Sequence, residues 1–325
     1  MQEYKINSTN IFMFSKKIMN FPSIQKQNGF TAIRILCALI VVYEHIVVLL
    51  DLSIPCIGIR RIAVNVFFII SGFWVTRSYF TSKSLKEFYK KRVKKIFPLY
   101  LIILYIFAIF LSFFSTYGFI SYFTDSGFWK YLLANTMTLN FIHPDLPGVF
   151  NGSPVNGSLW TIKIELGFYL FLPLIIFLCI DERKDRLNSL RCVIVLFIAY
   201  LISVLYIIII PYFINKFHLS LSFSNQLPAY ISYFVTGMFC FFFYEELFPL
   251  WNKLIIPCSL VFFICFMVKI PFFSVLFEPV VLGVIIMWCA LKCKPLFIFS
   301  KIYDFSYFLY LIHYPIIMII REFVC

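Results

Sequence analysis

Apolar runs of about 20 residues, separated by short polar segments, recur along most of this chain. A run of that length spans the hydrocarbon of a bilayer. Nine such runs are predicted as membrane-spanning helices, near residues 31–50, 61–80, 97–117, 158–180, 192–213, 227–244, 251–268, 272–291 and 305–324. A further stretch at 128–141 is apolar but short, and reads as interfacial, re-entrant or a tenth span. The expected fold is an all-α polytopic membrane protein, a bundle of nine to ten transmembrane helices. Residues 1–29 are polar, with no apolar core ahead of a cleavage site, and read as a cytoplasmic N-terminal tail. Residues 30–325 read as one transmembrane domain without an internal repeat.

Composition agrees with a membrane chain: 62% of the 325 residues are hydrophobic, with 43 Phe and 20 Tyr suited to lipid contacts and interfacial belts. The net charge of +13 does not point to nucleic acid, because the cations cluster between apolar runs. The segment 81–95, TSKSLKEFYKKRVKK, holds seven Lys/Arg against one Glu. Basic loops face the cytoplasm, so this loop and the N-terminus, two spans earlier, are expected there. The ten Cys form no C-x-x-C pair and mostly lie inside apolar runs, where they read as small hydrophobes rather than metal ligands or disulfides.

Charge inside the apolar runs changes the picture. TAIRILCALIVVYEHIVVLL carries Arg34, Glu44 and His45. Ionisable groups are costly at membrane depth and mark protein interiors or watery cavities. Arg34 and His45 are eleven residues apart, about three helical turns, so they share a face. Glu44 points about 100° from His45. Glu165 lies inside another run, in NGSLWTIKIELGFY; Lys163 is on a different face of the same helix. A His–Glu pair between helices would relieve both burials and make a general base; a structural Glu165 bonded to Tyr or Ser hydroxyls is the alternative. Lys90, Lys91, Arg92, Lys94 and Lys95 are either topology and lipid attraction or a phosphate site at the cytoplasmic mouth. In SYFLYLIHYP, Tyr310 and His313 share a face beside Pro315, with a packed His313 as the plain reading. His143 and His218 lie in connections and read as solvated.

Five segments occur in a familiar order: Arg34–x10–His45, FFIISGF at 67–73, FYKKRVKKIFPLY at 88–100, NGSLWTIKIELGFYLFLP at 156–173, and SYFLYLIHYP. Together they resemble the bacterial integral-membrane acyltransferase family 3, which includes O-acetyltransferases of surface polysaccharides. The resemblance covers roughly residues 28–322 and implies ten spans in the bacterial inner (cytoplasmic) membrane. It implies acetyl-CoA as a cytoplasmic donor substrate, no bound cofactor or metal, and transfer to a hydroxyl of a glycan or lipid-linked sugar. It implies a catalytic His45, an essential Arg34 and a basic motif near the donor; on that basis Arg34, Arg92 and Lys95 are expected to bind acyl-CoA, and the chemistry of the residues adds Glu165 as the expected partner of His45. Trp160, Tyr310 and His313 are further candidates within its motifs. Its R-x-x-R motif reads Arg92-Val93-Lys94-Lys95 here, which keeps the charge and loses one bidentate fork. The competing class is a transporter of a sugar or lipid-linked glycan, with the buried charges as a relay; a third reading is a sensor or scaffold.

Overall fold

A computed structural model of the chain describes residues 27–55, 58–181, 186–187, 189–270 and 272–324. The expected tail falls outside them up to residue 26. The described residues form an all-α architecture: α1 Phe30–Leu49, α2 Arg60–Phe80, α3 Leu85–Phe110, α4 Phe119–Thr124, α5 Ser126–Thr136, α6 Trp160–Cys179, α7 Ser189–Phe217, α8 Ile231–Phe242, α9 Tyr244–Val268, α10 Phe273–Leu276, α11 Glu278–Leu291 and α12 Ser306–Val324. The exception is a two-residue antiparallel pairing of Ile180–Asp181 with Arg186–Leu187.

Among the described residues, six helices are long and apolar enough to cross a membrane: α1, α2, α3 with its 3-10 extension to Phe114, α6, α7 and α9. The chain is a multi-pass membrane protein. The expected count of nine to ten is not confirmed by these helices. Residues 227–242 make only a short apolar helix, because a 3-10 turn at Leu227–Tyr230 takes up its first residues. The run at 272–291 is broken at Phe277 and then bends by 69° into a 3-10 segment, Lys294–Lys301, so it counts as a seventh span only if that bent pair is one crossing. The stretch at 128–141 contributes only the 11-residue α5. Helix α12 is 19 residues long.

Helix α3 also differs from expectation. Ser84 and Glu87 make a variant of the capping box, with the Ser84 hydroxyl accepting the Glu87 N–H (3.1 Å) and the Glu87 carboxylate accepting the N–H of Lys83, one residue before the cap (2.7 Å). The helix therefore starts at Leu85, and the basic segment is its first three turns rather than a loop. Pro98 lies inside the helix, not at its first turn. Arg92 and Lys95 now share a helical face by spacing.

The chain divides into two compact units. One contains Val64–Lys90 and Gly167–Tyr303 with the chain up to Ile33. Its α7, α8, α9 and α11 pack together. Helices α2 and α8 cross at paired glycines. A Cβ on Gly72 would lie 2.0 Å from the Phe234 carbonyl oxygen, and one on Gly237 would lie 2.0 Å from that of Ile69. Small residues at such crossings let backbones meet closely. Phe168 stacks on Phe234 at 4.2 Å beside them. The buried Glu278 carboxylate accepts from Asn65 (3.0 Å) and the Tyr233 hydroxyl (2.8 Å).

The other unit contains Arg34–Ala63, Lys91–Leu166 and Asp304–Cys325, and holds the expected catalytic residues and the expected acyl-CoA-binding residues Arg34, Arg92 and Lys95. Its long connection is ordered by its own bonds. The Asp125 side chain caps α5 through the Gly127 N–H (2.6 Å), the Tyr100 hydroxyl donates to the Asn135 carbonyl (2.6 Å), and Val155 N–H donates to the Pro144 carbonyl (2.9 Å).

Candidate active site

Helix α12 carries Pro315, which has no N–H to give the Leu311 carbonyl four residues earlier. The Asn156 side-chain amide supplies that bond instead, at 2.9 Å. Its own carbonyl accepts from the Ser158 N–H (3.1 Å) and hydroxyl (2.6 Å), which fixes the turn entering α6. The Tyr310 hydroxyl donates to the Ser158 carbonyl and accepts from the Thr161 hydroxyl (2.6 Å). The NGSLWT segment is thus a clamp on α12. Trp160 opens α6 at its edge, half-buried.

The clamped helix presents His313, which is 4% exposed. His313 Nδ1 faces the Leu309 carbonyl at 3.1 Å. A carbonyl only accepts, so Nδ1 carries the proton and the neutral ring leaves Nε2 as an acceptor. That Nε2 lies 2.9 Å from His45 Nδ1, which therefore donates to it. The consequence is a bare lone pair on His45 Nε2. Tyr314 packs edge-on against the His45 ring at 5.4 Å.

The structure joins His45 to His313, a contact the sequence reading did not propose. The Glu165 carboxylate lies near Lys95, Tyr307 and Tyr310, where its charge is felt. The wheel gives the direction of a side chain but not its neighbour, and His313 had only its place in a motif to recommend it.

The three expected cations do gather: the charges of Arg34 and Arg92 both act on Lys95. Arg34 also has a partner that the sequence reading missed. Its Nη1 donates to Asp304 Oδ2 at 2.9 Å. The other Asp304 oxygen accepts from the Ser306 N–H (3.2 Å) and hydroxyl (2.5 Å) at the start of α12. Burial works to raise the Asp304 carboxyl, but the Arg34 guanidinium and the Ser306 donors outweigh it and hold it below the usual carboxylate range. The available signal was an Asp two residues before an apolar helix. Lys163 lies over the Phe141 ring at 4.7 Å. Among the described residues no three His, Cys, Asp or Glu are grouped as a metal would require.

Comparison with known proteins bears on this arrangement. Nodulation protein 10 of Rhizobium leguminosarum bv. viciae is 29% identical over 162 residues, 46% of this chain and 44% of that protein. A protein of Acidianus two-tailed virus named "Putative acetyltransferase ORF330" is 24% identical over 243 residues, 74% of this chain and 66% of its own length. An uncharacterized protein of Haemophilus influenzae is 31% identical over 131 residues, 37% of this chain and 51% of that protein. The chain spans about half to two thirds of the length of these curated relatives. No solved structure matches it. The acyltransferase domain of the acyltransferase 3 family matches residues 27–325, and the chain belongs to that family.

Proposed function

We propose that this chain is an integral-membrane acyltransferase of the bacterial inner membrane. It passes an acetyl group from acetyl-CoA to a hydroxyl of a cell-surface glycan or lipid-linked sugar. The observation that carries this reading is the hydrogen-bonded series Leu309 carbonyl, His313, His45, which leaves His45 Nε2 as an unprotonated base. His45 Nε2 takes the proton of the acceptor hydroxyl as its oxygen attacks the thioester carbonyl. The tetrahedral intermediate collapses, the carbon–sulfur bond breaks, and the CoA thiolate leaves with the proton returned from His45. His313 touches no reacting atom; it is a positioning residue that fixes the tautomer, as the third member of a triad does.

Acetyl-CoA carries several phosphate charges, and the Arg34, Arg92 and Lys95 cluster supports a donor site on the cytoplasmic side. Asp304 uses one of the five N–H donors of Arg34 and leaves the others for phosphate. Glu165, near Lys95 and Tyr310, contributes to the electrostatics of this cluster. The family membership and the relative named as an acetyltransferase support the same chemistry. The test is a comparison, by mass spectrometry, of surface glycans from a deletion strain and its parent. Loss of an acetyl group from a defined sugar supports the reading. Identical glycans, with no CoA released by the purified protein in the presence of cell-envelope glycan, would remove it.

A further inference from the structure

The Glu44 carboxylate, adjacent to His45 in sequence, is 2% exposed and accepts the backbone N–H groups of Ile59 (2.6 Å) and Arg60 (3.1 Å). Both of its oxygens go to the backbone at the start of α2. The Arg60 backbone is thereby held to the turn of α1 that carries His45. The Arg60 guanidinium is half-buried, and among the described residues no carboxylate lies within ion-pair distance of it. Its charge is felt at His45, Tyr310 and Tyr314. Tyr314 fits against Gly157, where a Cβ would stand 2.7 Å from its hydroxyl. The Tyr314 hydroxyl bonds to no described residue.

A half-buried guanidinium without a carboxylate partner is costly in a membrane protein, and an anion that pairs with it recovers that cost. Arg34, three turns down α1, is held by Asp304; Arg60 has no such neighbour among the described residues. It stands at the opposite end of α1 from Arg34, which separates it from the proposed donor cations. We propose that Arg60 binds an anionic group of the acceptor, a phosphate or carboxylate next to the reacting sugar, and so sets the acceptor hydroxyl at His45 Nε2. The proposal rests on the acyl-transfer reading for its function, but the anion site can be tested without activity. A phospholipid headgroup offers the same phosphate chemistry and is the competing source.

The probe is glucose 1-phosphate, with glucose as its neutral control, added to the purified full chain in nanodiscs of phosphatidylcholine. Saturating CoA is included to occupy the donor cations. Glucose 1-phosphate should raise the unfolding midpoint of the parent by about 2–4 °C, as expected for a ligand at several times its Kd, and glucose should not. The shift should vanish in Arg60→Ala and return in part in Arg60→Lys. In cells, Arg60→Ala should lower glycan acetylation at least tenfold while acetyl-CoA binding is unchanged. No shift in the parent, or an equal shift in Arg60→Ala, overturns the proposal. Loss of the parent shift on adding phosphatidylglycerol to the disc, with parental acetylation by Arg60→Ala, assigns the guanidinium to lipid and also overturns it. If the parent acetylates nothing yet the shift depends on Arg60, the acyl-transfer reading fails and the anion site stands.

Discussion

His45 and His313 differ from a His–carboxylate pair in a way that predicts their variants. A neutral imidazole fixes the tautomer of its neighbour but does not neutralise an imidazolium as a carboxylate does. His313→Ala should therefore slow transfer by about 10–100-fold, with acetyl-CoA binding unchanged. His313→Gln should restore part of the rate, because its side-chain carbonyl can accept the His45 Nδ1 proton; steady-state kinetics of CoA release checks both. Asp304 gives a pH test. Its carboxyl is held low in the folded chain, so its contribution to stability is present at neutral pH and is lost as pH falls through that lowered value. The parent should lose thermal stability on acidification below the ordinary carboxylate range more steeply than Asp304→Asn, as read by unfolding midpoints across pH. Arg34 and His45 were legible in the sequence because charge inside an apolar run calls for a reason. Asp304, Arg60 and the His45–His313 contact were not, because each is a relation between segments distant in the chain.

Two elements owe their geometry to single residues, and each makes a prediction. At the crossing of α2 and α8, a methyl group on Gly72 or Gly237 would overlap a carbonyl oxygen of the other helix. Gly72→Ala and Gly237→Ala should each destabilise by about 1–3 kcal/mol or more. The double variant should be less than additive, because one displacement makes room for the other methyl; unfolding in detergent measures this. On α12, Asn156→Ala should leave the Leu311 carbonyl without its donor and cost about 1–3 kcal/mol. In a Pro315→Ala background the backbone N–H returns, so the same substitution should cost less, and a double-mutant cycle reads the difference. The FFIISGF motif was visible in the sequence, but only the structure gives its Gly72 a reason. Helices α1, α2, α6 and α7 were legible from hydropathy. The runs at 227–244 and 272–291 were not, since an apolar count is blind to the 3-10 turn before α8 and to Phe272, which has a positive φ of 61°. Helix α3 was read as starting late because its charges hid the Ser84–Glu87 cap.

At the scale of the whole molecule, the account requires the start of α3 to face the cytoplasm, where acetyl-CoA is found. Its seven Lys/Arg between residues 83 and 95 are the basis for that orientation. A cysteine placed at Ser84 in a cysteine-free background should resist an impermeant thiol reagent in intact spheroplasts and react in inverted vesicles; labelling from outside would put the donor cations on the wrong side. The central claim is that His45 Nε2 takes the acceptor proton during acetyl transfer, and single-turnover transfer of labelled acetyl from acetyl-CoA to the native glycan tests it most directly. His45→Gln keeps hydrogen-bonding capacity but cannot accept a proton at neutral pH. It should bind acetyl-CoA as the parent does and transfer acetyl about 100- to 10,000-fold more slowly. Transfer at the parental rate by folded His45→Gln protein would contradict the account.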